Sequence, residues 1–187
     1  KQNDDRTVES LLKRGFDPNA RDPRGFHGLF LAVKEPSPKV AVVLIDWPKT
    51  DVEPRTAQDE SPLMIASLNG DLELVQRLVN RGAHVNKTGW TPLHYAATNG
   101  HLPVIRFLLE KSAYIDAEAP SGTTPLMMAA HYGTPQSVKL LLDEGADPML
   151  KNLQGLTAID FANRANRKES ADLIAAFIRS RQPRGKW

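Results

Sequence analysis

Three short segments of this chain repeat at intervals close to 33 residues, and this internal period limits the fold more than any other feature. The segments begin at Ser61, Thr91 and Thr124 and share the pattern Ser/Thr-Pro-Leu-x-x-Ala. Two degenerate copies begin at His27 and Thr157, so the successive steps are 34, 30, 33 and 33 residues. Self-similarity at such a period is typical of repeat folds in which each unit stacks only on its neighbours.

The residue pattern of each repeat predicts a pair of short helices. Thr91 and Thr124 are suitable N-caps, and the proline after each of them occupies the first helical position, where no N–H is needed. Glycines such as Gly100 and Gly133 are expected to end the first helix through a positive φ, and Gly145 ends a second helix with a Leu/Val/Ile face. One such pair cannot bury both of its faces, so neighbouring pairs must stack to form a core.

With these motifs the chain resembles the ankyrin repeat, whose hallmark is Thr-Pro-Leu-His-x-Ala-Ala with a period of about 33 residues. The resemblance covers nearly the whole chain, from about Thr7 to about Ile178, and implies an all-α repeat solenoid of helix-turn-helix units joined by β-hairpins or loops. The expected organisation is a partial repeat at 1–22, repeats at 23–56, 57–86, 87–119 and 120–152, a capping repeat at 153–178 and a basic tail at 179–187.

Both ends depart from the repeat pattern. The first repeat supplies only its second helix, at 6–14, so its first helix is expected to precede Lys1. In the last repeat Asp160 replaces the motif histidine, and a helix at about 168–177 is expected to have the polar outer face of a terminal cap.

The charge distribution argues against a nucleic-acid-binding protein. The net charge of +2 comes from 24 basic and 22 acidic residues, and the last nine residues carry +4, which leaves about −2 on the body. A nucleic-acid-binding domain usually carries a positive stripe on its folded surface. The tail, with Arg179, Arg181, Arg184 and Lys186, is expected to be disordered; the alternative is that these cations and Trp187 dock on a partner.

Apolar content and cysteine content limit the function further. The longest purely apolar runs, such as 40–45, are far shorter than the ~20 residues that a membrane-spanning helix needs. The chain has no cysteine, which excludes disulfides and thiolate metal sites but fits a reducing or an oxidising compartment, so cytoplasmic and exported locations both stay open.

No catalytic, cofactor or metal site is predicted. The Gly-x-Ser-x-Gly, Gly-x-Gly-x-x-Gly and Gly-Lys-Ser/Thr motifs are absent, and no two of the five histidines form an i, i+4 pair. The resemblance gives His94 a hydrogen bond to a neighbouring loop and places His101 in the inter-helix turn, while His131 is expected to be a solvated surface histidine. Asn86-Lys87-Thr88 formally matches a glycosylation acceptor, but Asn86 occupies the structural asparagine position of the family.

The resemblance implies that hairpin tips and first helices form a concave face that binds proteins. Matching residues to the motif places on this face Phe26, Arg55, Glu60, Leu68, Trp90, Thr98, Asn99, Thr123, His131, Tyr132, Leu156 and Arg164, and beside them Lys34, Glu35, Arg21, Arg24, Glu118 and Lys151. Aromatic side chains exposed in a groove are typical hot spots, so Trp90 and Tyr132 are the main candidates. The alternative is that Trp90 packs onto the neighbouring hairpin.

The step from Ser61 to Thr91 is three residues short, and the deficit falls in 83–89, where a hairpin tip is expected. We therefore expect a truncated hairpin that leaves a gap in the row of tips, with Trp90 at the floor of this gap. A neutral deletion in a surface turn is the alternative, because loops tolerate length changes.

Two functions fit this pattern. The first is a stand-alone, bacterial ankyrin-repeat protein that binds a protein partner and inhibits, escorts or scaffolds an enzyme. The second is the targeting or regulatory arm of a larger multidomain enzyme or regulator. Both predict a non-enzymatic module without cofactor or metal, which binds protein rather than nucleic acid, does not insert into a membrane and is a monomer. An enzyme in its own right is disfavoured, because no residue constellation supplies the chemistry.

Overall fold

The computed structural model describes residues 4–181, and within this range the chain forms eleven helices. They are α1 Asp5–Lys13, α2 Gly28–Lys34, α3 Pro38–Asp46, α4 Pro62–Asn69, α5 Leu72–Asn80, α6 Pro92–Asn99, α7 Leu102–Glu110, α8 Pro125–His131, α9 Pro135–Asp143, α10 Ala158–Arg164 and α11 Lys168–Arg181. Within the described residues, β pairing is limited to one isolated antiparallel bridge between Arg21 and His27. The predicted all-α repeat fold is confirmed, and the predicted hairpins are turns rather than strand pairs.

The chain divides into two compact units after Val85. In the first unit, the first helices α2 and α4 pack on each other, while the second helices α1, α3 and α5 form a row behind them. In the second unit, α6, α8 and α10 form one row and α7, α9 and α11 form the other. The division lies beside the short 30-residue step and one residue from the predicted repeat boundary at 86/87.

Buried leucines recur along the chain with the same spacing as the repeat motif. The motif leucine is fully buried in each repeat that carries it, as Leu29 and Leu63 in the first unit and Leu93 and Leu126 in the second. Because these side chains face the same layer in every repeat, stacking successive helix pairs produces a continuous apolar core within each unit.

The predicted N-caps Thr91 and Thr124 begin α6 and α8, and Ser61 is the N-cap of α4. The Ser61 hydroxyl accepts a hydrogen bond from the Met64 N–H at 3.3 Å, and the Thr124 hydroxyl accepts one from the Met127 N–H at 3.4 Å. The proline after each cap lies at the start of the helix. Capped starts of this kind fix where each first helix begins and therefore which side chains it presents outward.

Gly133 is required for a different reason from the one expected. Gly100 ends α6 in the left-handed region with φ +68°, whereas α8 ends at Tyr132 in the right-handed region. A Cβ at Gly133 would lie 2.6 Å from the Ala97 carbonyl oxygen and 2.9 Å from the Ala129 carbonyl oxygen. The close approach of α6 and α8 therefore selects glycine at this position.

We expect Gly133→Ala to lower the free energy of unfolding by about 3 kcal/mol, because two backbone oxygens have to move away from the added methyl group. The matched control is Gly28→Ala at the start of α2, where the nearest atom to the added Cβ is a Leu44 methyl at 4.0 Å. This control should leave stability unchanged or raise it by about 0.5 kcal/mol. Urea denaturation followed by circular dichroism measures both, and equal stabilities of the two variants would contradict the steric account.

Side-chain amides join the loops of successive repeats. Asn19 donates to the Lys49 carbonyl and accepts from the Asp51 N–H, at 2.9 and 2.8 Å. In the second unit Asn86 makes the same pair of bonds, to the Ser112 carbonyl and from the Tyr114 N–H, both at 2.8 Å. These bonds support the structural role expected for Asn86.

Asp116 occupies the corresponding position in the next repeat, but as a carboxylate it can only accept. It accepts from the Asp147 N–H at 3.1 Å. Burial raises the pKa of Asp116, and the negative charge of Asp147 acts in the same direction against the hydrogen bond. A group whose pKa is raised by folding favours the folded state at low pH and loses that contribution as the pH rises.

We expect Asp116→Asn to raise the free energy of unfolding at pH 7 by about 1 kcal/mol, because the amide can donate to a backbone carbonyl as Asn19 and Asn86 do. The reciprocal variant Asn86→Asp should lower it by a similar amount. The gain from Asp116→Asn should shrink at low pH, where the wild-type carboxyl is protonated and able to donate. A gain that is absent at pH 7, or is independent of pH, would contradict this account.

The C-terminal helix is longer than the sequence indicated. Helix α11 continues to Arg181, so 179–181 are helical rather than part of a disordered tail. The Arg181 guanidinium lies 4.4 Å from the centre of the Phe177 ring, one helical turn earlier, which stabilises this last turn. The remaining part of the predicted tail, with Arg184, Lys186 and Trp187, lies outside the described residues.

Candidate protein-binding surface

Four loops that precede a first helix share one backbone geometry. In each, the N–H of the first residue donates to the carbonyl of the fifth, at distances of 2.9 to 3.1 Å, over the ranges 22–26, 56–60, 119–123 and 152–156. Among the described residues no such bond closes 86–90, the loop before α6. The gap between hairpin tips, with Trp90 at its floor, stays a prediction.

His94 connects the start of α6 to the loop before α8. Its Nε2 lies 2.9 Å from the Thr123 carbonyl oxygen, which can only accept, so this nitrogen carries the proton. Its Nδ1 then accepts from the Thr91 N–H at 3.2 Å and faces the Thr91 hydroxyl at 2.9 Å. The predicted hydrogen bond of His94 to a neighbouring loop is confirmed.

His94 is a neutral imidazole at physiological pH. The side chain is completely buried, and this desolvation lowers the pKa of His94 to about 4, although its hydrogen bonds to backbone carbonyls act in the opposite direction. A protonated ring would lose Nδ1 as an acceptor, so the hydrogen bond from the Thr91 N–H would break.

Trp90 lies on this buried imidazole. The two ring centres are 5.2 Å apart and the ring planes are inclined by 74°, an edge-to-face contact. Trp90 is half-buried, so one part of the indole packs on the scaffold and another part reaches the surface. The preceding residue, Gly89, has φ +83° and lies close to the Pro120 ring, where an added Cβ would be 3.7 Å from the ring carbon.

Tyr132 is the most exposed of the predicted aromatic contacts, with 55% of its surface accessible. Its ring packs edge-on against His131, with the ring centres 4.2 Å apart. His131 is not the solvated histidine that the sequence suggested, because it is half-buried and its Nδ1 lies 3.2 Å from the Phe161 carbonyl oxygen. The Phe161 ring centre lies 6.0 Å from that of His131.

Two arginines border this aromatic group. Arg167 donates to the Tyr132 carbonyl at 3.4 Å, and Arg164 lies one helical turn after Phe161 on α10. Arg164 was among the predicted residues, whereas Phe161 and Arg167 were not. The repeat period gave no signal for either, since the equivalent residues one repeat earlier, Met128 and Thr134, were not predicted to face outward.

The other predicted residues of the second unit differ in accessibility. Asn99 and Arg164 are exposed, and Thr98 and Leu156 are half-buried. The prediction that the Thr123 side chain faces outward was wrong, because only 5% of the surface of this residue is accessible. Its hydroxyl lies 2.7 Å from that of Ser121, and its carbonyl is the acceptor of the His94 bond.

Phe26 is the predicted aromatic contact of the first unit, and it is half-buried. Its ring stacks on the buried Phe30 ring with the centres 5.7 Å apart, and the Arg24 and Lys34 cations lie 5.3 and 5.4 Å from the Phe26 ring centre. Arg55 is half-buried and forms an ion pair with Glu53 at 2.8 Å. Glu60 and Leu68 are half-buried as well.

Within residues 4–181 no three histidine, aspartate or glutamate side chains come together in a way that could hold a metal ion. None of the helices described is both long enough and apolar enough to cross a membrane.

Stacked helix pairs with capped Ser/Thr-Pro starts and a buried loop-binding imidazole define a helical repeat protein. Family models described as ankyrin repeats match residues 1–88, 29–119 and 112–162. The chain belongs to the ankyrin-repeat family, whose repeats are typically non-enzymatic protein-interaction modules.

Similar proteins include three whose matched regions cover most of this chain. It is 31% identical to a B-cell lymphoma 3 protein homolog of Mus musculus over 81% of this chain and 36% of that protein. It is 33% identical to the nuclear factor NF-kappa-B p105 subunit of Mus musculus, over 78% of this chain and 16% of that protein. The third is the ankyrin repeat and SAM domain-containing protein 6 of Rattus norvegicus, 35% identical over 77% and 12% respectively. The chain therefore spans about a third or less of the length of these relatives.

We expect the stability of the protein to fall as the pH decreases from about 6.5 to about 4, in part because of His94. The unfolded imidazole has a pKa near 6.5 and the folded one a pKa of about 4, so the unfolded chain binds the proton more tightly in this window. The His94 contribution corresponds to about 3 kcal/mol. His94→Gln should be less stable at pH 7 but should show a shallower decline. The free energy of unfolding of both proteins is measured by urea denaturation at several pH values in this window. An equal decline in the two proteins would contradict the role given to His94.

Proposed function

We propose that this chain is a non-enzymatic protein-interaction module that binds a protein partner through the first-helix side of its repeats. The observation that carries the proposal is the half-exposed Trp90 ring, which rests on the buried His94 network. An aromatic side chain that is already fixed before binding loses little conformational entropy in a complex, and such side chains dominate the binding energy of many interfaces.

Tyr132 supports the same surface within the second unit. Tyr132 is 55% accessible, yet its ring packs on His131, which is in turn hydrogen-bonded to α10. An exposed tyrosine that is held by its neighbours offers a large contact area with a polar hydroxyl at its end. The proposed surface of the second unit consists of Trp90, Thr98, Asn99, His131, Tyr132, Leu156 and Arg164. In the first unit the corresponding proposal is Phe26, Arg55, Glu60 and Leu68.

The pairing of surface cations with carboxylates favours a protein partner over a nucleic acid. Acidic residues accompany the cations of the first unit, since Asp22 pairs with Arg24 at 2.9 Å and Glu53 pairs with Arg55 at 2.8 Å. A phosphate backbone would need unpaired cations along the surface. A monomeric module that inhibits, escorts or scaffolds an enzyme is the form of this function that we favour.

A second candidate is the regulatory or targeting arm of a larger protein. It is favoured by the relatives, in which the matched region amounts to 12% to 36% of the whole protein. In this case the same surface would recruit the partner to the attached domains.

The binding function is tested by using the chain to capture proteins from an extract of the organism that encodes it. The captured protein is then purified, and its affinity for the wild type and for Trp90→Ala is measured by isothermal titration calorimetry. Trp90→Ala should weaken binding by about 30-fold, which corresponds to a hot-spot contribution of about 2 kcal/mol.

The matched control is Phe107→Ala, which removes another half-buried aromatic ring of the second unit, on the second helix α7. This variant should bind as the wild type does. Circular dichroism of both variants verifies that they are folded. An unchanged affinity of Trp90→Ala, or an equal loss in Phe107→Ala, would overturn the proposed surface.

A further inference from the structure

The end of α8 and the turn between α10 and α11 form a surface of aromatic and cationic side chains, which we call the Tyr132 corner. It consists of His131, Tyr132, Phe161, Arg164 and Arg167. The corner is continuous, because the His131 ring contacts the Tyr132 ring at 4.2 Å and the Phe161 ring at 6.0 Å between centres, while Arg167 reaches the Tyr132 carbonyl at 3.4 Å.

The two arginines of this corner place positive charge at the surface. Both are exposed, and within residues 4–181 neither guanidinium forms an ion pair with a carboxylate. A guanidinium has five N–H donors, and the bond to Tyr132 uses one of those of Arg167. The remaining donors point to a ligand with several acceptor oxygens.

The acidic residue on α10, Asp160, already accepts hydrogen bonds at the start of this helix. Asp160 accepts from the Thr157 N–H at 2.8 Å and from the Thr157 hydroxyl at 2.7 Å, as the cap of α10. These two hydrogen bonds lower the pKa of Asp160, and the charge of Arg164 is a smaller cause in the same direction. The carboxylate therefore stabilises the helix start, and Arg164 remains available to an external anion.

A purely structural role explains only part of this arrangement. The bond from Arg167 to the Tyr132 carbonyl satisfies one of the carbonyls left free at the end of α8. It does not account for the exposed Tyr132 ring or for Arg164, which makes no such bond among the residues described. The exposed Tyr132 side chain, together with two exposed arginines at the end of α10 and in the turn after it, is the feature that indicates a ligand.

We propose that the Tyr132 corner binds an acidic segment of the partner protein, with carboxylates on Arg164 and Arg167 and an aromatic or aliphatic side chain against Tyr132. This inference rests on the proposed interaction function and specifies the chemistry of the partner. A carboxylate can bind a guanidinium through two parallel hydrogen bonds, which gives direction as well as affinity. Two cations are too few for a membrane surface, which typically requires clusters of 4–8, or for a nucleic-acid backbone.

The inference is tested with a phage-displayed library of random 12-residue peptides selected on the full chain. Selected peptides should carry a net negative charge and at least one aromatic or leucine residue. A synthetic copy of the most enriched peptide is then titrated by fluorescence anisotropy. The double variant Arg164→Gln/Arg167→Gln should weaken its binding by at least tenfold, Tyr132→Ala should weaken it by about fivefold, and added NaCl should weaken binding to the wild type.

Matched controls exist in the same unit. Arg106→Gln/Lys139→Gln removes two exposed cations from α7 and α9, and Tyr114→Ala removes a tyrosine that is 69% exposed. Both should bind the peptide within twofold of the wild type. Equal losses in these controls would overturn the inference, because the effect would then be one of overall charge or of stability.

Other outcomes separate this inference from the function on which it rests. Neutral or basic selected peptides would overturn the acidic partner while leaving a protein-interaction function in place. Tighter binding of a 20-nucleotide poly-dT strand or of phosphatidylserine vesicles than of the peptide would also overturn it, in favour of another class of ligand. If no peptide is selected, the inference fails, and the proposed function is still decided by the captured protein and Trp90→Ala.

Discussion

The buried hydrogen bond from His94 to the Thr123 carbonyl is the interaction on which the proposed binding side of the second unit depends. It fixes the loop before α8 against the start of α6 over 2.9 Å, and it requires a neutral ring that accepts from Thr91 at the same time. Trp90 packs on this ring, so the exposed part of the indole takes its position from a buried polar network. Burial of the imidazole raises the cost of its protonation, and the same bond therefore couples the order of the surface to pH.

Much of the fold was predictable from the sequence, because the repeat imposes the same local requirement several times. Thr91 and Thr124 each precede a proline, so both the N-cap and the first residue of the helix were expected, and both are present. Leu63 and Leu126 recur at one position of the motif and are fully buried. Each repeat packs on a similar repeat, so the residues of the motif form both sides of the contact between neighbours. The motif alone therefore predicts which residues pack together.

What the sequence did not predict depends on contacts between residues about 30 positions apart. Gly133 was expected to supply a positive φ, but it is needed because α6 and α8 approach closely at the Ala97 carbonyl. Thr123 was expected to face outward and is buried under the His94 bond, and His131 was expected in solvent but is bound to the Phe161 carbonyl. Residues that bind a partner are harder still to predict, because the scaffold constrains core positions and leaves surface positions, such as the proposed contacts Tyr132 and Arg167, free to vary.

The central claim is that a partner protein covers the first-helix side of the second unit, and hydrogen–deuterium exchange of the free and bound chain tests it directly. With the captured partner at saturation, amides of 87–99, 128–135 and 161–167 should exchange more slowly than in the free chain, while those of the second helices α7 and α9 should exchange at unchanged rates. Protection confined to α7 and α9, or none in these three segments, would contradict the account.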